Sequence, residues 1–100
     1  MNTSLTSKQR AHLRALANKL SPTHYVGRAG ITPEFNTAVD EALQSRELIK
    51  LGVQAIQTED IKSLAETLAG RTRSQVVSVV GNKFTLYRKH KTNPTITLPK

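Results

Sequence analysis

Residues 23–53 read THYVGRAGITPEFNTAVDEALQSRELIKLGV, and the order of signals in that stretch decides the fold class. Thr23 to Val26 is a short β-prone run that empties into Gly27-Arg28-Ala29-Gly30, a loop bounded by two glycines. Thr32-Pro33 then supplies a helix N-cap and a first-turn proline, with Glu34 just behind. Phe35, Ala38, Val39, Ala42 and Leu43 keep helical spacing to about Arg46. Leu48 to Val53 follows as a second strand, with Ile49, Leu51 and Val53 on one face and Leu48, Lys50 and Gly52 on the other. A strand reached from a strand through a helix implies a parallel pair with a right-handed crossover.

Working upstream, Thr6 and Gln9 form a capping-box pattern ahead of Leu13, Leu16, Ala17 and Leu20, so residues 7–20 read as an amphipathic helix that Ser21-Pro22 ends. Downstream, Thr58 is the expected cap of a third helix, with Glu59 and Asp60 at the positive end of its dipole. Its stripe is Ile61, Leu64, Ala65 and Leu68, and its expected stop is Gly70. Gln75 to Val80 and Lys83 to Arg88 are strands joined by the hairpin turn Gly81-Asn82. Residues 89–100 are a basic C-terminal tail. The order αβαβαββ predicts a single α/β domain over residues 1–100: a two-layer sandwich with a four-stranded mixed sheet and the second and third helices on the same face. The first helix either joins that layer or covers a sheet edge.

The chain has 100 residues, so it has room for one core, and with four aromatics that core is aliphatic. It contains no cysteine, which excludes a disulfide framework, a thiolate zinc site and a cysteine nucleophile. No apolar run approaches a membrane span, and the opening MNTSLTSKQR offers no signal-peptide stretch; the expectation is a cytoplasmic monomer away from membranes. The formal net charge is +8, and it is unevenly placed. Residues 1–33 carry +5 and residues 67–100 carry +7, both without an acid, while residues 34–66 carry −4. If the chain ends meet, they form one basic face opposite an acidic one, and a polyanion is its natural partner.

Catalysis finds little support. His12, His24 and His90 have no metal-ligand spacing, and neither a GxSxG elbow nor a phosphate-binding P-loop is present, so no metal, cofactor or catalytic residue is assigned. The Gly27 to Gly30 loop is the distinctive motif. Two glycines flanking a cation let a phosphate approach the backbone, and the next helix points its first N–H groups the same way. The competing explanation is a tight turn with glycines at positive φ. KH domains clamp single-stranded nucleic acid with a GXXG loop, although between two helices. No RNP1-type octapeptide marks a strand for base stacking. Phe35 and Phe84 read as core, whereas Tyr25 and Tyr87 could each face the basic surface.

Several segments in order and spacing resemble the CRM domain, in its free-standing bacterial YhbY-like form. They are Leu5-Thr6-Ser7-Lys8-Gln9-Arg10, Gly27 to Gly30, Glu47-Leu48-Ile49-Lys50, Gly81-Asn82-Lys83 running into Leu86-Tyr87-Arg88, and Ile96-Thr97-Leu98-Pro99. Gly52 stands where such proteins usually carry a larger residue. The resemblance implies a fold similar to the C-terminal domain of translation initiation factor three, RNA contact through the GxxG loop, and association with ribosomal RNA in large-subunit precursors. The expected RNA-binding residues are Gly27, Arg28, Ala29 and Gly30 in the loop, Lys8, Arg10, Arg14 and Lys19 on the first helix, and Arg88, Lys89 and Lys91 at the C-terminal edge. Phosphate contacts of this kind position a nucleic acid more than they read its sequence. The alternatives are a protein-interaction module using the acidic second and third helices, a general polyanion binder, and a hydrolase acting on RNA.

Overall fold

The computed structural model describes residues 5–27, 29–54, 60–92 and 94–99. Its elements follow the expected order: α1 (Ser7–Ala17), β1 (His24–Val26), α2 (Pro33–Arg46), β2 (Leu48–Val53), α3 (Ile61–Thr72), β3 (Gln75–Val80) and β4 (Lys83–Tyr87). The sheet order is β1-β2-β4-β3. β1 runs parallel to β2, and the other two pairings are antiparallel, which makes the sheet mixed.

Alternation along β2 sorts the interior into two clusters. Ile49, Leu51 and Val53 join Val26, Val39, Leu43, Leu64, Leu68, Phe84 and Leu86 in the larger one, beneath α2 and α3. Leu48 joins Leu13, Ala17, Val77 and Tyr87 in the smaller one, with Leu5, Leu16, Ile96 and Leu98 packed against it. Helix α1 therefore takes neither of its two expected places. It lies across the sheet from α2 and α3, with the C-terminal tail beside it. The reason is β2 itself: Leu48 needs cover on that face, and the Leu13–Ala17 stripe supplies it.

Local signals fixed the starts of α1 and α2. The capping box at Thr6 and Gln9 is formed, and Thr32 accepts the Phe35 N–H ahead of Pro33. Helix α1 stops at Ala17, three residues earlier than predicted. There the Lys19 and Leu20 N–H groups turn back to Leu16 and Ala17, a tightening that closes the last turn before Ser21-Pro22 forces extended backbone. Helix α3 is capped by Asp60, whose carboxylate accepts the Ser63 N–H at 2.7 Å; Thr58 and Glu59 lie outside the described residues. Its far end also moves. Gly70 sits within the helix, which runs on to Thr72, and Arg73 takes the left-handed cap at φ 57°. A helical glycine costs about 1 kcal/mol relative to alanine. Two contacts at Thr72 offset it: its hydroxyl donates to the Leu68 carbonyl, and its own carbonyl accepts from Arg88.

Candidate nucleic-acid interface

The glycine-bounded loop leaves the C-terminal end of β1, beside Val53 and the Gly81-Asn82 turn. Its turn is closed by the Gly30 N–H on the Gly27 carbonyl at 3.0 Å, with Gly30 at φ 72°. Arg28 lies outside the described residues. Gly27 does not share Gly30's positive φ, and among the described residues a Cβ at either glycine would meet nothing within 4 Å. The turn conformation therefore accounts for glycine at position 30, and internal packing accounts for it at neither. The helix behind contributes less than expected. Pro33 has no N–H, Thr32 takes that of Phe35, and the carboxylate of Glu34 stands in the first turn. At most the Glu34 N–H remains for an anion.

The cations expected on one face fall into two groups. Lys8 and Arg14 on α1, and Lys19 just past its end, are exposed on the α1 side of the sheet. Lys19 borders an open groove of about 570 Å³ that Arg46 and Lys50 also line, with Leu16, Leu20 and Ile96 as its apolar floor. On the α2–α3 side, a cleft of about 700 Å³ brings Lys89 and Lys91 together with Arg71, Arg73 and His90. Arg71 also leans toward the loop, its guanidinium donating to the Ile31 carbonyl at 3.5 Å. Arg71 and Arg73 were not among the expected contacts. The sequence shows only that they are basic; their position beside residues 89–91 depends on the α3 cap and on how β4 ends.

Two expected contacts are engaged within the protein. The Arg10 guanidinium donates to the carbonyls of Val76 and Val77, where the β3–β4 register shifts and Val77 is left without a cross-strand partner. Arg88 donates to the Asp40 carboxylate at 2.6 Å, to the Asp40 carbonyl at 2.9 Å and to the Thr72 carbonyl at 2.8 Å. It ties α2, the end of α3 and β4 together, so we reassign both arginines from exposed cations to struts.

Glu47 is the structural residue that sequence reasoning misplaced, having counted it with the acidic surface. It is 2% exposed and adopts φ 64°, a left-handed geometry rare outside glycine. Its carboxylate accepts the N–H groups of His90, Thr95 and Ile96 and the Thr95 hydroxyl, all between 2.7 and 2.9 Å. Burial alone pushes this carboxyl up, but those four donors outweigh it and hold it below its ordinary value. The clamp fastens the tail over the smaller cluster, and Gln9 Nε2 anchors its end by donating to the Pro99 carbonyl at 3.1 Å. Tyr87 is buried there, not facing the basic surface. Its hydroxyl has no hydrogen-bond partner among the described residues, and burial, reinforced by the nearby Glu47 carboxylate, pushes its ionisation up.

Three helices on a four-stranded mixed sheet, a strong excess of positive charge and an open GxxG turn define a small basic α/β domain. The chain belongs to the CRS1 / YhbY (CRM) domain family, whose sequence profile matches residues 5–88. It is 41% identical over 95 residues to a Bacillus subtilis protein named "Probable RNA-binding protein YqeI", covering 95% of this chain and 99% of that one. A Methanocaldococcus jannaschii protein also named as a probable RNA-binding protein is 42% identical over 86 residues, covering 84% of this chain and 63% of the relative. The solution structure of a hypothetical Staphylococcus aureus protein, described as a candidate RNA binder, superposes with a TM-score of 0.82 at 42% identity. That match covers 96% of this chain and all of the other.

Proposed function

We propose that this protein binds RNA without acting on it catalytically, docking structured ribosomal RNA of large-subunit precursors through the GxxG turn and the cations flanking it. The observation that carries this reading is the open space at Gly27. Its φ is not positive and, among the described residues, no atom would crowd a Cβ there, so in this reading the missing side chain leaves room for something that approaches from outside. The charge of the first 33 residues, +5 without an acid, identifies the visitor as anionic. The names of the relatives support RNA over other polyanions. Arg28, Lys8, Arg14, Lys19, Lys89 and Lys91 supply phosphate contacts in this reading, and Arg71 and Arg73 extend them across the cleft.

The test combines charge reversal with a salt titration. Replacing Arg28 and Ala29 together by Asp should remove most RNA affinity and change stability by no more than about 0.5 kcal/mol, as surface loop changes do. In the parent, neutralising four to six phosphates of a single strand gives a log–log salt slope of about −3 to −4. A salt-insensitive affinity sinks the proposal. Equal affinity for matched DNA would instead establish a general polyanion binder, since phosphate contacts do not read the 2′-hydroxyl. Co-sedimentation with large-subunit precursors tests the ribosomal part separately.

A further inference from the structure

At the loop end of the sheet, strand register aligns one row of residues across all four strands. Tyr25 pairs with Gly52, Gly52 with Lys83, and Lys83 with Val80. Because Ile49, Leu51 and Val53 point into the α2–α3 core, alternation turns this row to the α1 side. Helix α1 covers only the other end of that face, where Leu13 and Ala17 meet Leu48, Val77 and Tyr87. The row at the loop end stays open: Tyr25 is 48% exposed and Val80 72%.

Gly52 explains how Tyr25 is held. A Cβ at position 52 would lie 2.7 Å from Tyr25 Cε2 and 2.8 Å from Cδ2, closer than packed carbon atoms come. The aromatic ring therefore settles onto the bare backbone of β2 with one edge tucked over the glycine and the remainder facing solvent. The next row inward is Lys50, Thr85 and Ser78. Together the two rows hold two lysines, three hydroxyls (that of Thr85 buried) and no carboxylate. Tyr25 is also two residues from Gly27, so a nucleotide whose phosphate met the turn would carry its base within reach of the ring.

We propose that Tyr25, seated on Gly52 and flanked by Lys50 and Lys83, is a stacking platform for one unpaired nucleobase of the bound RNA. This rests on the RNA-binding reading above and adds a contact of a different kind, to a base and not to a phosphate. A base fits better than a protein side chain because stacking needs only a π-face, while the surrounding cations, unopposed by acids, favour an attached phosphate.

The test uses the full chain and single-stranded RNA. Tyr25→Ala should weaken binding roughly 5- to 100-fold, the range found for losing one base–aromatic stack, and Tyr25→Phe should retain most of the affinity. Gly52→Ala keeps the tyrosine but lifts its ring, and should weaken binding in a protein that still folds by circular dichroism. The chain contains no tryptophan, so Tyr25→Trp installs a single reporter. Its fluorescence should be quenched by the RNA but not by an abasic ribose-phosphate oligomer of the same length. If the parent binds RNA with a steep salt dependence, yet Tyr25→Ala binds equally well and the indole of the Tyr25→Trp variant is not quenched, the platform is overturned and the RNA-binding reading stands. If the parent binds no RNA, both fall.

Discussion

The two ends of the sheet use the same backbone geometry for opposite purposes. Where β2 begins, Glu47 takes φ 64° although it is not glycine, and six hydrogen bonds define it: its N–H to Leu43, its carbonyl from the Arg88 N–H, and four donors on its carboxylate. Where β2 ends, the positive φ values fall on Gly30 and Gly81, and among the described residues no atom lies within 4 Å of where their Cβ would stand. Backbone strain persists where surrounding contacts over-determine it, so the Glu47 end is built for stability. At the other end the positive φ falls on glycine, which adopts it without strain, and in the proposed reading that end is the one the RNA approaches. Substitutions at the first should therefore change folding, and at Gly27, whose φ is not positive, binding.

The largest effect is expected at Glu47. Glu47→Ala leaves three tail N–H groups without their acceptor and should cost about 2 to 4 kcal/mol in urea unfolding, with faster amide exchange at His90, Thr95 and Ile96. The loss is bounded because the freed tail can be hydrated. Acid should act in the same direction. Since the folded carboxyl is held below its unfolded value, its contribution is complete above the ordinary glutamate pKa of about 4.3 and disappears as pH falls through the folded value. Unchanged exchange at those amides between neutral and strongly acidic pH would remove the clamp from this account.

An intermediate effect separates two arginines on one ridge of α1. Arg10→Glu abandons the carbonyls of Val76 and Val77 and should destabilise the domain by about 1 to 3 kcal/mol. Arg14→Glu, exposed and without such partners in the described set, should stay within about 0.5 kcal/mol and lose RNA affinity instead. Thermal unfolding and RNA titration of the two variants side by side read both quantities. Equal behaviour would mean that the Arg10 contact contributes nothing to stability.

The same pair shows what sequence could and could not reveal. Thr6 with Gln9, Thr32 with Pro33 and the Gly81-Asn82 turn act over a few residues, and each formed where its pattern predicted. Arg10 reaches a carbonyl 66 residues away, and the Glu47 carboxylate meets donors 43 to 49 residues on. No local period announces such partners, so both were read as surface charges. Gly70 failed differently: the local stop signal was real, but tertiary contacts at Thr72 outweighed it. At the candidate site the loop motif was plain, whereas the seating of Tyr25 on Gly52 required strand register.

The smallest and sharpest comparison lies within the loop itself. Gly30→Ala places a side chain at φ 72°, where an L-residue pays about 1 to 2 kcal/mol, and stability should fall by that amount. Gly27→Ala meets no positive φ and, among the described residues, no atom within 4 Å, so stability should hold or rise by about 0.4 to 1 kcal/mol as the unfolded chain loses freedom. RNA affinity should respond differently: the methyl at position 27 stands where the visiting backbone is expected to pass, and binding should weaken in a protein at least as stable as its parent. Such a dissociation cannot come from a turn that is merely structural. If Gly27→Ala binds RNA as tightly as the parent, the open space at that position is not the point of contact, and the interface must centre on the α1 cations and the cleft beside Arg73.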